Sequence, residues 1–165
     1  IGGGMPIAAL GGKREIMEYL APTGPVYQAG TLSGNPISMA AGLATLQAAD
    51  AEVYQSIDTK SRQLQQAIVE AFDAQGLNYS IQTAGNLFSV AFGTAENGVH
   101  NYADIKNSET FRYAPFFHSM LNAGVYLPPS AFEAWFLSSA HTDAVMDRII
   151  AALPDAAEAA AQATA

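Results

Sequence analysis

The sequence predicts an α+β domain preceded by a glycine-rich segment that belongs to a second body. Three observations carry this expectation. Glycine and proline crowd the chain before Asp50 and thin out after it. Apolar residues then recur at three- and four-residue spacing from Val53 to Phe72. Two runs with period-two alternation follow, separated by a short glycine-containing loop. The expected division is 1–49 for the first body and 50–165 for the second.

The elements follow in order. The first 34 residues are loop-dominated, with Gly11-Gly12 and Ala21-Pro-Thr-Gly-Pro25 as breaks and a short helical candidate at Lys13–Leu20. A helix rich in small residues starts after Ser33 or Asn35 as the cap, with Pro36 in its first turn, and runs to Ala49. Val53, Ile57, Leu64, Ile68 and Phe72 line one face of a longer helix, interrupted by Ser61 and ended by Gly76. Tyr79, Ile81 and Thr83, then Phe88, Val90 and Phe92, read as two antiparallel strands joined at Ala84-Gly85-Asn86. Glu96–Ser108 lacks periodicity and reads as a surface excursion.

A further helix near Pro115 is expected to turn Phe116 or Phe117, Met120 and Leu121 inward before Gly124 stops it. Val125–Leu127 reads as a short third strand, Pro128-Pro129 as a rigid turn, and Phe132–Ser139 as extended chain. Thr142 caps a last helix with a stripe of Val145, Met146, Ile149, Ile150 and Leu153. Beyond Pro154 the chain is alanine-rich, helical at most with an apolar face one methyl deep.

Composition excludes several function classes. Acidic residues outnumber basic ones by 15 to 7, and the cations are scattered apart from Lys13-Arg14, which argues against a nucleic-acid binder. The absence of cysteine excludes disulfides, thiolate metal sites and cysteine nucleophiles. No run approaches the roughly 18 apolar residues of a spanning helix, so neither a membrane nor a nucleic-acid partner is expected. The spacing of His100, His118 and His141 fits no compact metal motif. Tyr126 and Trp135 read as core or interface aromatics.

Gln28-Ala-Gly-Thr-Leu-Ser-Gly-Asn-Pro36 is the most informative loop. Glycines at 30 and 34, hydroxyls at 31 and 33 and an immediate helix start together favour an anion such as phosphate. An ordinary helix-capping turn is the alternative. Glu133 is the other candidate, because Ala131-Phe-Glu-Ala-Trp-Phe136 is strongly apolar and a buried carboxylate there needs a partner. An exposed edge position is its alternative.

Ile1-Gly-Gly-Gly-Met-Pro-Ile-Ala-Ala-Leu-Gly-Gly12, Gly30-Thr-Leu-Ser-Gly-Asn-Pro36 and Met39-Ala-Ala-Gly-Leu-Ala44 resemble, in sequence and order, the class III aminotransferase group of pyridoxal-phosphate enzymes. Within that group, Phe116-Phe-His-Ser-Met-Leu121, Gly124-Val-Tyr-Leu-Pro-Pro-Ser-Ala-Phe-Glu-Ala134 and Leu137-Ser-Ser-Ala-His-Thr142 look like its aminomutase branch.

The resemblance implies an α/β parent of fold type I, with 1–49 ending its cofactor-binding large domain and 50–165 forming an α+β C-terminal small domain. It implies pyridoxal 5'-phosphate as cofactor and isomerisation of glutamate 1-semialdehyde to 5-aminolevulinate by a cytoplasmic homodimer. The Schiff-base lysine of the family precedes the Ile-Gly-Gly-Gly segment, so it is expected upstream of Ile1. None of Lys13, Lys60 and Lys106 has its flanking pattern, and these 165 residues alone are expected to be inactive. Gly30 and Thr31 match the loop that binds the partner subunit's cofactor phosphate, and Glu133 matches a glutamate on the substrate-site wall. The rival readings are an ω-amino-acid or ornithine-type aminotransferase of the same group and a non-enzymatic α+β interaction module.

Overall fold

The computed structural model describes residues 1–94 and 98–165. The chain divides into two compact units, Ile1–Glu52 and Val53–Ala165.

The first unit is irregular chain around two helices, α1 (Arg14–Met17) and α2 (Pro36–Ala48). Asn35 is the cap of α2. Its Oδ1 accepts from the N–H groups of Ile37 at 3.1 Å and Ser38 at 3.2 Å. Ser33 makes no capping contact. The small residues of α2 do what their size allows, since a Cβ at Gly42 would come within 2.8 Å of Ile7 Cδ1. That close approach buries Ser38 and Gly42 while leaving Ile37 65% and Leu43 59% exposed. The unit therefore has no core of large apolar side chains.

The second unit has such a core. It contains α3 (Ala51–Ala74, whose first two residues lie before the division), β1 (Tyr79–Ala84), β2 (Leu87–Phe92), α4 (Tyr102–Lys106), a single 3-10 turn at Thr110–Arg112, α5 (Tyr113–Asn122) and α6 (Asp143–Ala161). The strands pair antiparallel with Tyr79 opposite Phe92 and Ala84 opposite Leu87. Gly85 turns the hairpin at φ +66°, a conformation that favours glycine. Phe72 of α3 is fully buried, with its ring 5.0, 5.2 and 5.5 Å from those of Tyr79, Phe92 and Phe116. These edge-on and tilted contacts join two helices and the sheet.

Ser61, the polar interruption on the α3 face, is 1% exposed and satisfied. Its hydroxyl donates to the Asn86 carbonyl at 2.8 Å and accepts from Gln65 Nε2 at 3.0 Å. Asn86 Nδ2 also donates to Asp58 Oδ1 at 2.9 Å, so the hairpin turn is held against α3. A serine replaces an apolar residue here because the tip of a hairpin needs donors and acceptors as well as packing.

Four sequence expectations are corrected. Val125–Leu127 forms no ladder, although Val125 and Leu127 are buried and Tyr126 faces out. The Val125 N–H closes the end of α5 on the Met120 carbonyl at 2.9 Å, and Pro128 has no N–H, so few donors remain for a strand. Extended chain reaches the sheet only at Trp135, which pairs antiparallel with Phe88. Within the non-periodic stretch, where 95–97 lie outside the described residues, α4 forms behind a capping box of Asn101 and Asp104. Leu121 and Val145 face outward. Tyr113, Phe116, Phe117 and Met120 complete the inner face of α5, and Leu121 falls about 100° past Met120.

The fourth correction concerns Pro154. α6 continues through it to Ala161, with Ala156, Ala157 and Ala160 fully buried. An interior proline costs a helix about 3 kcal/mol. Here the shallow alanine face is buried, and Arg112 Nη1 donates to the Ala160 and Ala161 carbonyls at 2.8 and 3.1 Å, capping the helix end with a cation. Glu109 Oε2 fixes that guanidinium at 2.6 Å.

No helix among the described residues is long and apolar enough to cross a membrane.

Two outcomes follow from this packing. Limited proteolysis of the 165-residue chain trims the stretch before Leu46 before any part of 53–165; equal protection of both units would contradict the account. Burial pushes the Tyr113 phenol up to about 12, and the Glu133 charge adds to the rise. Its pKa in the unfolded chain is about 10. The stability it contributes is whole below pH 10 and is lost as pH climbs to 12. Denaturant unfolding between pH 9 and 12 should show a shallower decline in Tyr113→Phe than in the parent chain.

Candidate functional site

The turn Gly30–Gly34 directly precedes α2. The Ser33 N–H donates to the Gly30 carbonyl at 3.0 Å, and the Asn35 N–H to the Leu32 carbonyl at 3.1 Å. Gly34 sits at φ +70°, and a Cβ at Gly30 would come within 3.2 Å of Ser33 Oγ. Both glycines therefore serve the turn's geometry.

The N–H groups of Gly30, Thr31, Leu32 and Gly34 find no acceptor among the described residues, and neither does the Thr31 hydroxyl. All are on exposed residues. A hydroxyl and several unpaired amides on one exposed turn suit an anion with several oxygens. The sequence reading also drew on the free end of the following helix. That contribution is reduced, because Asn35 Oδ1 already pairs with the first amides of α2. The donors left for a ligand belong to the turn itself.

Glu133 lies in the second unit, on the segment Pro128–Trp135. It is exposed, so its carboxylate remains in water and needs no buried counter-charge. Glu133 Oε1 accepts from the Ser130 N–H at 3.1 Å, and the Glu133 N–H donates to the Ser130 carbonyl at 3.2 Å. The carboxylate borders a pocket of about 380 Å³ whose walls include Tyr126, Pro128, Trp135, Phe136, Leu137 and His141. Most of this lining is apolar, and Glu133 is its one carboxylate.

His141 also lines the pocket. Its Nδ1 accepts from the Ser138 N–H at 3.0 Å, which places the ring proton of the neutral form on Nε2. The His141 carbonyl accepts from Lys60 Nζ at 2.6 Å. Lys60 also pairs with Asp143 Oδ1 at 3.6 Å, so it holds the turn ahead of α6. Lys13 and Lys106 are exposed on short helices. Among the described residues no group of three or more His, Asp or Glu could hold a metal ion.

The sequence reading missed Tyr113 and Ser130. The Tyr113 hydroxyl donates to the Pro128 carbonyl at 2.6 Å. The two residues are 15 positions apart, and no local pattern announces the bond. The Ser130 contact to Glu133 had a readable signal, a serine three residues ahead of a glutamate after a proline pair.

Comparison with known proteins adds relatives of the whole chain. The chain is 57% identical over 162 residues to glutamate-1-semialdehyde 2,1-aminomutase of Cutibacterium acnes, covering 98% of this chain and 37% of that protein. It is 50% identical over 165 residues to the enzyme of the same name from Tropheryma whipplei strain Twist, covering all of this chain and 35% of that protein. The chain thus spans little more than a third of the length of these relatives.

Among solved structures, an omega-transaminase from Sphaerobacter thermophilus superposes with a TM-score of 0.76 at 24% identity, over 96% of this chain and 36% of that one. A transaminase with PLP bound superposes at 0.77 with 21% identity, over 99% and 38%. These two likenesses establish the fold. The Aminotransferase class-III family model matches residues 1–153, and the chain belongs to that family.

Proposed function

We propose that this chain is the C-terminal part of a pyridoxal-phosphate-dependent aminomutase that isomerises glutamate 1-semialdehyde to 5-aminolevulinate. The observation that carries this over a transaminase reading is the identity of 50–57% to two aminomutases along almost every residue. The two transaminase structures compared above, which share the fold, are 24% and 21% identical.

In this reading residues 1–49 end the large cofactor-binding domain and 50–165 form the small domain. Gly30 and Thr31 hold the phosphate of a cofactor bound mainly by the partner subunit of a homodimer. The support for this is the donor set of their turn, which is exposed and unpaired among the described residues. A phosphate dianion accepts charge-assisted hydrogen bonds from such donors. When bound, pyridoxal phosphate supplies an electron sink for the amino-group transfer. Thr31 and its neighbouring amides fix the position of that group.

Glu133 has a different task. Its carboxylate, held by the Ser130 N–H at the lip of an apolar pocket, orients the amino group of the substrate. The two proline residues before it carry no N–H, so the wall offers the substrate's carboxylate little competing hydrogen bonding there. No lysine of this chain is assigned the Schiff-base role. Lys60 is engaged in the turn ahead of α6, and the other two are on open surface.

Two measurements on the full-length protein test this assignment. Incubated with glutamate 1-semialdehyde and no added amino donor or acceptor, it should form 5-aminolevulinate; a strict requirement for a second substrate would make it a transaminase. Thr31→Val should weaken cofactor binding, read by equilibrium dialysis, by about ten- to a hundredfold, the size expected for one hydrogen bond to a charged group. Unchanged affinity would remove Thr31 from the phosphate site.

A further inference from the structure

The segment carrying Glu133 cannot be held as a strand. Pro128 and Pro129 offer no N–H donors, and no ladder forms between Val125 and Ala134. It is fastened at its two ends instead. At the far end the Trp135 N–H donates to the Phe88 carbonyl at 2.6 Å, and the Phe88 N–H returns a bond at 3.4 Å. The Trp135 ring lies 5.3 Å from that of Phe88 and is stacked 6.2 Å from that of Phe116. At the near end the Tyr113 hydroxyl donates to the Pro128 carbonyl at 2.6 Å.

Between these fastenings a local set of bonds fixes the carboxylate. The Ser130 N–H donates to Glu133 Oε1 at 3.1 Å, and the Phe132 N–H donates to Ser130 Oγ at 3.2 Å. Ser130 lies two residues beyond the carbonyl that Tyr113 holds. Tyr113 itself is 3% exposed and packed beside Phe116, with ring centroids 6.2 Å apart, so its hydroxyl has a fixed origin in the core. A rigid core group thus sets the start of the turn, and the turn sets the carboxylate.

From this geometry we propose that Tyr113 is a positioning residue for Glu133: through the Pro128 carbonyl and Ser130 it holds the carboxylate in its orientation toward substrate. The proposal rests on the reading above that Glu133 faces the substrate. Tyr113 touches neither substrate nor cofactor in this account. Its contribution is orientation, and misplacement of a group by a fraction of an ångström is enough to be felt in kcat/KM.

A double-mutant cycle in the full-length holoenzyme tests it. Tyr113→Phe keeps the buried ring and removes the hydroxyl. In the Glu133 background it should lower kcat/KM about tenfold, while in the Glu133→Gln background it should change kcat/KM by less than about twofold. Thermal unfolding, by contrast, should shift equally in both backgrounds, because the lost bond to Pro128 is the same. Equal losses of kcat/KM in the two backgrounds, or no loss in either, would overturn the positioning role. If Glu133→Gln alone leaves kcat/KM and the pH profile unchanged, the underlying placement of Glu133 fails. Should Tyr113→Phe not fold, Ser130→Ala, which removes the hydroxyl that accepts from the Phe132 N–H, tests the turn link of the same path: kcat/KM should fall in the Glu133 background and change by less than about twofold in the Glu133→Gln background, and equal losses or none would overturn the proposal.

Discussion

The pairing of Trp135 with Phe88 is the contact on which the second unit's functional surface depends. It is one isolated bridge, yet it joins the chain after α5 to the edge of the hairpin. Its ring contacts to Phe88 and Phe116 carry it into the aromatic cluster around Phe72. The backbone bonds set direction, and the indole supplies the buried area that keeps them from exchanging with water. With Trp135 fixed, the turn before it can be short, proline-rich and free of regular structure while still presenting Glu133 at one place. The candidate residue sits on a loop, and the loop is made precise by the core beneath it.

The two units answer the same demand for burial in different ways. In 53–165, helices and hairpin enclose phenylalanine, isoleucine, leucine and methionine side chains, and the polar interruption at Ser61 is paired with Asn86. In 1–52 the buried positions of α2 are Ser38 and Gly42, and its large side chains point outward. The Gly30–Gly34 turn shows the same incompleteness in polar form, because the N–H groups of Gly30, Thr31, Leu32 and Gly34 and the Thr31 hydroxyl have no acceptor among the described residues.

Much of this was legible in the sequence, and the limits have physical causes. The periodic run from Val53 to Phe72, the hairpin around Gly85 and the capped final helix were readable because local spacing decides them. The small helix α4 was not, since a capping box without an apolar stripe leaves no periodicity. The continuation of α6 past Pro154 depends on Arg112, 48 residues before Ala160, and no local window contains that bond. The Gly30–Gly34 turn was visible as glycines and hydroxyls, but which residue caps α2 was left open between Ser33 and Asn35; the coordinates decide for Asn35. Glu133 could be singled out by its apolar surroundings, whereas its fastening by Ser130 and the Tyr113 bond belongs to tertiary structure alone.

The inverted character of α2 has a bearing on how this polypeptide behaves outside a cell. A helix that displays isoleucine, methionine and leucine while concealing serine and glycine is an adhesive surface. Produced as these 165 residues, the material carries a built-in tendency to self-associate through that helix, and the negative charge of −8 opposes this by electrostatic repulsion. Because such repulsion is screened by added salt while apolar attraction is not, concentrated salt should bring the chain out of solution sooner than its acidity alone suggests.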